Sequence, residues 1–77
     1  MEEAEKIFAV LHGIHPEYDY RASTDYINDG LLDSFDLLLL VDELERSLGW
    51  DIPGDLIRQE NFVSVAAMIR AFSTINR

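Results

Sequence analysis

The sequence has no cysteine and no long hydrophobic segment. Without cysteine, its 77 residues form no disulfide bridge and no thiolate-bound metal site. No unbroken apolar run is longer than that from Leu37 to Val41, which is far shorter than a helix that crosses a bilayer. The acidic, amphipathic beginning "MEEAEKIF" is also unlike a secretory signal peptide. We therefore expect a soluble cytoplasmic protein with no membrane-spanning segment.

Positive charge is scarce as well. Six Lys and Arg residues face 15 Asp and Glu residues, which gives a formal net charge of −9. A chain of this charge repels the phosphate backbone, so we expect no nucleic acid among its partners. No Lys or Arg interrupts the seven acids Asp25, Asp29, Asp33, Asp36, Asp42, Glu43 and Glu45. Such a run either keeps a small protein in solution or docks basic partners, and the two interpretations are compatible.

The length and the helical periodicity predict one small all-α domain. A chain of 77 residues buries a single small core, so one domain over residues 1–77 is expected. Apolar residues at helical spacing predict three helices, over about residues 2–12, 34–48 and 65–74. A long loop follows the first helix, and "DLIRQ" allows at most a short helix before the last one. The prediction is an all-α bundle of three main helices plus one short helix.

Residues at the predicted helix ends suggest where chemistry takes place. Gly13 and Gly49 are expected to end the first and second helices, as glycines after a helix commonly do. Asp33 is the expected N-cap of the second helix, with its carboxylate accepting the backbone N–H of Asp36. Ser34 is then the first helical residue, and its hydroxyl lies beside free N–H groups that accommodate a phosphate. This placement makes Ser34 a candidate modification site.

The second helix contains four consecutive leucines, which cannot all face one core. At about 3.6 residues per turn, Leu37 and Leu40 fall on one core stripe with Val41, Leu44 and Leu48. Leu38 and Leu39 lie at the margin of this stripe or outside it. An outward apolar cluster rimmed by acids predicts a partner-binding patch, unless the long loop covers it. The predicted partner-binding residues are Phe35, Asp36, Leu38, Leu39, Asp42 and Glu45.

The spacing of acids in "DYINDGLLDSFD" is similar to that of a calcium-binding EF-hand loop, but we expect no metal there. The third position is Ile27, and the twelfth is Asp36 instead of the bidentate glutamate that such a loop requires. His12 and His15 have no partner at metal-ligand spacing and are predicted to be ordinary surface or loop histidines. With one serine at a helix start and no partnered base, hydrolase chemistry is not expected.

The run "DGLLDSFDLLLLVDELERSLGWDIP" resembles the acyl and peptidyl carrier proteins. In that family, a serine after Asp or Gly at the start of the second helix carries a 4′-phosphopantetheine arm, and Ser34 in "DSF" matches it, with Asp33 beside it. The likeness covers nearly the whole chain, and "LLDS" and "ENF" look closest to stand-alone carriers, including D-alanyl carrier proteins. The chain departs from the pattern at Phe35, where Leu, Met or Ile is commoner. It also departs at Leu39, where fatty-acid carriers often have a docking glutamate.

The resemblance implies an acyl-carrier-like bundle and a function without catalysis. A phosphopantetheinyl transferase would attach the arm from coenzyme A to Ser34, and the arm would hold an acyl or aminoacyl group as a thioester. The implied partners are that transferase, a loading enzyme and a downstream transferase or synthase, and we expect a monomer. The carried group and the pathway stay open. The alternative is a small acidic adaptor without a prosthetic group, which binds a basic or amphipathic helix through Phe35, Leu38 and Leu39.

Overall fold

Three helices form the fold in a computed structural model, which describes residues 2–76. Helix α1 spans Glu2–Ile14, α2 spans Ser34–Leu48 and α3 spans Val65–Phe72. Residues 2–76 contain no strand, which confirms the predicted all-α class. Met1 and Arg77, which the predicted domain includes, lie outside the described residues. None of the described helices has the length and apolar character needed to cross a membrane.

The predicted short helix between α2 and α3 is replaced by two 3₁₀ turns, Gly54–Leu56 and Gln59–Asn61. Between them, Arg58 has extended backbone angles, φ −128° and ψ 147°, which interrupt any continuous helix. The side-chain amide of Asn61 donates to the Leu56 carbonyl at 2.8 Å. This contact occupies an acceptor that a helix would have used, and it stabilises the broken conformation.

The end of α1 differs from the prediction. The helix was expected to end near His12 with Gly13 after it, but it continues through Gly13 to Ile14. The backbone φ of Gly13 is not positive, so this glycine is an ordinary helical residue. The N–H of His15 donates to the Leu11 carbonyl at 3.0 Å, and Ile14 packs against the core. The two extra helical residues therefore bring a backbone hydrogen bond and apolar burial.

The bounds of α2 are as predicted, and Gly49 ends this helix in the left-handed conformation with φ 70°. Helix α3 is shorter than predicted. Its N-cap is Ser64, whose hydroxyl accepts the Ala67 N–H at 3.0 Å, but the helix ends at Phe72. The side chain of Asn76 then donates to the Phe72 carbonyl at 2.8 Å, at the end of a 3₁₀ turn. The chain after Phe72 therefore forms a 3₁₀ turn, and the last turn predicted for α3 is not α-helical.

The core lies between α1, α2 and α3. The end of α1 lies beside the start of α2, as the contact between His15 and Asp36 shows, so these two helices run antiparallel. Helix α1 also packs against α3. The largest fully buried side chains are Tyr26, Phe62, Phe72, Ile7, Leu11, Leu40, Leu44 and Met68. On the predicted stripe of α2, Leu37, Leu40 and Leu44 are buried, whereas Val41 and Leu48 are partly buried and pack against the core. This placement confirms the helical phase.

The long loop between α1 and α2 is attached to the core by two tyrosines. The rings of Tyr20 and Tyr26 are both buried and pack edge to face, with centroids 5.1 Å apart. Burial raises the pKa of Tyr20, so its phenol stays protonated and donates to the Leu31 carbonyl at 3.0 Å. The N–H of Tyr26 donates to the Val63 carbonyl at 2.8 Å, just before α3. The carbonyl of Tyr26 accepts the N–H groups of both Leu31 and Leu32.

A second attachment holds the loop against α1. The guanidinium of Arg21 donates to both carboxylate oxygens of Glu5, at 3.1 and 2.5 Å. The same guanidinium lies 4.2 Å from the centre of the Phe8 ring. Tyr20 and Tyr26 therefore attach the loop to the core, and Arg21 attaches it to α1, before the chain reaches α2.

Candidate functional site

The start of α2 is held by a reciprocal pair of hydrogen bonds. Oδ1 of Asp33 accepts the Asp36 N–H at 2.9 Å, and Oδ2 of Asp36 accepts the Asp33 N–H at 3.1 Å. This is the predicted Asp33 cap, completed by Asp36 as a capping box. Ser34, the first residue of the helix, is exposed, and the cap does not need its hydroxyl.

His15 contacts this cap, although the sequence predicted an ordinary loop histidine. Its Nε2 lies 3.1 Å from Oδ1 of Asp36, and its Nδ1 lies 3.5 Å from Oε2 of Glu17. His15 directly follows α1, so it links the end of α1 to the first turn of α2. No local signal could have revealed this contact, because its two residues lie far apart in the sequence and meet only when α1 and α2 pair.

The surroundings of Ser34 fit a covalently attached phosphate. Asp33, Ser34 and Phe35 are all exposed, so no side chain blocks access to the hydroxyl. The N–H groups in the first turn of a helix favour an anion, whereas the Asp33 and Asp36 carboxylates oppose one. Asp36 already accepts the Asp33 N–H, and the Nε2 atom of His15 lies 3.1 Å from its other carboxylate oxygen. The arrangement is thus an exposed hydroxyl at the start of a helix, beside two carboxylates that disfavour the binding of a free anion.

The outward side of α2 carries the predicted apolar cluster. Phe35 is 68% exposed, Leu38 is 62% exposed and Leu39 is 45% exposed, and the loop does not cover them. We refer to these three residues as the outer patch. They are neighbours on one face of the helix, at spacings of three and four residues. The structure thus answers which of the four leucines face outward, as the periodicity predicted.

The three acids predicted to share in partner binding have different environments. Asp42 is exposed and forms an ion pair with Arg46. The side chain of Asp36 is only 14% exposed, because it belongs to the cap. Oε2 of Glu45 accepts the Ile52 N–H at 3.2 Å and so ties α2 to the segment that follows it. Of these three acids, Asp36 and Glu45 each accept a backbone N–H, whereas Asp42 is paired with a side chain and lies beside the outer patch.

An open groove of about 700 Å³ lies between α1 and α2. Leu39 belongs both to the outer patch and to the wall of this groove. The groove was not predicted, because it combines surface residues of two helices whose pairing the sequence does not reveal. Its lining residues are Lys6, Ala9, Val10, Gly13, Ile14, Leu39, Glu43 and Ser47.

The segment that is similar to a calcium loop has other tasks in the fold. Leu32 is buried in the core, and the last two acids of the segment, Asp33 and Asp36, form the cap of α2. Within residues 2–76, no three or more His, Asp or Glu side chains come together in a group that could hold a metal ion.

The start of α2, the outer patch and the groove are the features on which a function can rest. Comparisons of this chain with known family models, with curated proteins and with solved structures found no match. Any functional conclusion therefore depends on the residues and geometry of the chain itself.

Proposed function

We propose that this protein is an acyl carrier, modified on Ser34 with a 4′-phosphopantetheine arm. The observation that carries the proposal is the exposed Ser34 at the first turn of a helix whose cap is made entirely by its neighbours. In the modification, Ser34 Oγ forms a phosphoester bond with the arm while the phosphoanhydride bond of coenzyme A breaks. The hydroxyl proton passes to the transferase, and the nucleotide part of coenzyme A leaves.

The residues of the chain present Ser34 and do not catalyse a reaction. The reciprocal bonds of Asp33 and Asp36 fix the first turn of α2, and His15 connects this turn to α1. The thiol at the end of the arm would hold the acyl or aminoacyl group as a thioester. Tethering raises the effective concentration of the carried group for an enzyme that has bound the carrier. The outer patch with Asp42 is the proposed contact for such enzymes.

The modification is tested by mass spectrometry after incubation with a broad-specificity phosphopantetheinyl transferase and coenzyme A. The wild-type protein should gain the mass of one arm, and Ser34→Ala should gain none. Ser47→Ala is the matched control, since Ser47 is an exposed serine of the same helix and should not be needed. An arm on Ser34→Ala, or an unmodified wild-type protein, would refute the proposal.

The second candidate function is that of an acidic adaptor without a prosthetic group. The exposure of Phe35 and Leu38, at 68% and 62%, favours it, because two large apolar side chains in water suggest a protein contact. In that case, the wild-type protein would stay unmodified in the same experiment and would still bind a basic amphipathic helix. The mass measurement therefore separates the two functions.

A further inference from the structure

The groove between α1 and α2 is apolar at one end and charged at the other. Because the helices are antiparallel, Ile14 and Leu39 lie toward the Ser34 end, whereas Lys6 and Ser47 lie toward the opposite end. The apolar end therefore adjoins the outer patch through Leu39. The groove and the patch form one continuous surface.

The groove stays open partly because of Gly13, which is unfavourable in its own helix. A glycine inside a helix costs about 0.5 to 1 kcal/mol relative to alanine. A Cβ atom at this position would meet nothing within 4 Å, so packing does not require the glycine. A local cost without a structural reason is commonly found at functional surfaces. Here a larger side chain would occupy the space beside Leu39.

The charge around this surface identifies the kind of partner. Arg46 lies within ion-pair distance of both Asp42 and Glu43, so two carboxylates share one guanidinium. Lys6, at the far end of the groove, has Glu2 at 3.6 Å. The surface is thus apolar in its centre and has excess negative charge at its edge. Such a surface is complementary to apolar side chains flanked by Lys or Arg.

We propose that the groove and the outer patch together bind one amphipathic, basic helix of a partner protein. A large apolar side chain of that helix would insert between Leu39 and Ile14, and its basic residues would contact Asp42 and Glu43. Helix α1 therefore supplies half of the binding surface. The inference deepens the proposed carrier function, because it describes the surface that a loading enzyme would use.

The test measures binding of a synthetic peptide to the Ser34→Ala protein, which cannot carry an arm. The probe is an amphipathic Leu/Lys peptide of about 18 residues, long enough to form a helix. Titration into the isotope-labelled protein should shift the amide signals of Val10, Gly13, Ile14 and Leu39. A second peptide, with Gln in place of each Leu, should bind at least about tenfold more weakly if the apolar anchors matter.

Two glycine variants of this protein provide the matched comparison. Gly13→Leu fills the groove and should weaken peptide binding at least about tenfold. Gly54→Leu places the same side chain in open space outside the groove and should bind as the parent does. Thermal unfolding of both variants verifies that they are folded.

Three results would overturn the groove proposal. They are equal affinity of Gly13→Leu and the parent, equal affinity of the Gln peptide, and shifts confined to the acidic residues. Shifts at the same groove residues on loading the wild-type protein with an acyl group, without any peptide, would also overturn it in favour of the cargo as occupant. Because Ser34→Ala has no arm, a failure here leaves the mass measurement on the wild-type protein unaffected.

Discussion

At the scale of single residues, Asp33 caps α2 and leaves the hydroxyl of its neighbour Ser34 outside the cap. The Asp33 carboxylate accepts the Asp36 N–H at 2.9 Å and replaces a hydrogen bond that water would otherwise make. The Ser34 hydroxyl, one position later, remains available for chemistry. Many helices use serine itself as the cap, and in this chain the aspartate releases the serine from that role.

Replacing Asp33 by Ala should therefore destabilise the fold, whereas replacing Ser34 by Ala should not. We expect a loss of about 1 kcal/mol in the free energy of unfolding for Asp33→Ala, the usual cost of a lost cap. Ser34→Ala should stay within about 0.5 kcal/mol of wild type, as for other surface changes. Urea unfolding of the two variants measures both values. A larger loss for Ser34→Ala would mean that its hydroxyl supports the helix after all.

At the scale of elements, the sequence predicted a helix best where the signals at its ends are local. At the start of α2, the Asp33 side chain accepts the N–H of Asp36, three residues later. At its end, Gly49 follows the helix directly and adopts φ 70°. Its apolar stripe also gives the correct outward side, and with it the outer patch. The predicted end of α1 was wrong, because the helix continues to Ile14. Ile14 packs against core residues that are distant in the sequence, so local patterns could not reveal this extension.

Alanine substitution should have opposite effects on stability at Gly13, inside α1, and at Gly49, directly after α2. Gly13→Ala should raise the free energy of unfolding by about 0.5 to 1 kcal/mol, since Gly13 is helical and has open space for a Cβ. Gly49→Ala should lower it by about 1 kcal/mol, because the left-handed conformation is unfavourable for alanine. Thermal or urea unfolding measures the sign of each change. Destabilisation by Gly13→Ala would indicate that α1 ends at Gly13, as the sequence alone suggested.

The phase of α2 also predicts opposite results for two leucines. Leu39→Glu should change the free energy of unfolding by about 1 kcal/mol or less, because this side chain is 45% exposed. Leu44→Glu places a charge in the core and should cost several kcal/mol, enough to prevent folding. Circular dichroism and thermal unfolding compare the two. If Leu39→Glu unfolded as readily as Leu44→Glu, the outer patch would belong to the core.

At the scale of the whole molecule, the long loop was the least predictable part. The rings of Tyr20 and Tyr26 pack against each other, and the backbone of Tyr26 bonds to Val63 near α3. Sequence patterns carry little information on partners so far apart in the chain. The candidate site follows the same rule. Ser34, its cap and the outer patch could be predicted from α2 alone, whereas His15 and the groove required the pairing of α1 with α2.

The Arg21–Glu5 contact between the loop and α1 gives the stability a defined pH dependence. The hydrogen bond from Arg21, and then its charge, hold the pKa of Glu5 below its ordinary value of 4.5. A carboxylate whose pKa is lower in the folded state stabilises the fold above that ordinary value, and this contribution disappears as the pH falls through the lowered pKa. Wild type should therefore unfold at a higher temperature than Glu5→Gln near pH 7, and the difference should shrink as the pH falls below 4.5 and vanish once Glu5 is protonated in the folded state.

Glu2→Gln is a suitable control for this comparison, because Glu2 is also an exposed acid of α1 and its contact with Lys6 is longer, at 3.6 Å. Its effect on the unfolding temperature should be smaller at neutral pH. A difference between wild type and Glu5→Gln that grows on acidification would contradict the assigned role of Arg21.

The hydrogen bond from the Tyr26 N–H to the Val63 carbonyl joins the loop to the segment just before α3, and we expect the two to open together. The amides of Leu31 and Leu32 both donate to the Tyr26 carbonyl, so all three amides become accessible to solvent when this junction separates. Their hydrogen exchange should then proceed at a common rate, as expected for one cooperative unit. Leu32 is buried in the core and directly precedes Asp33, so the same opening would loosen the chain immediately before α2, while the bonds between Asp33 and Asp36 could remain in place.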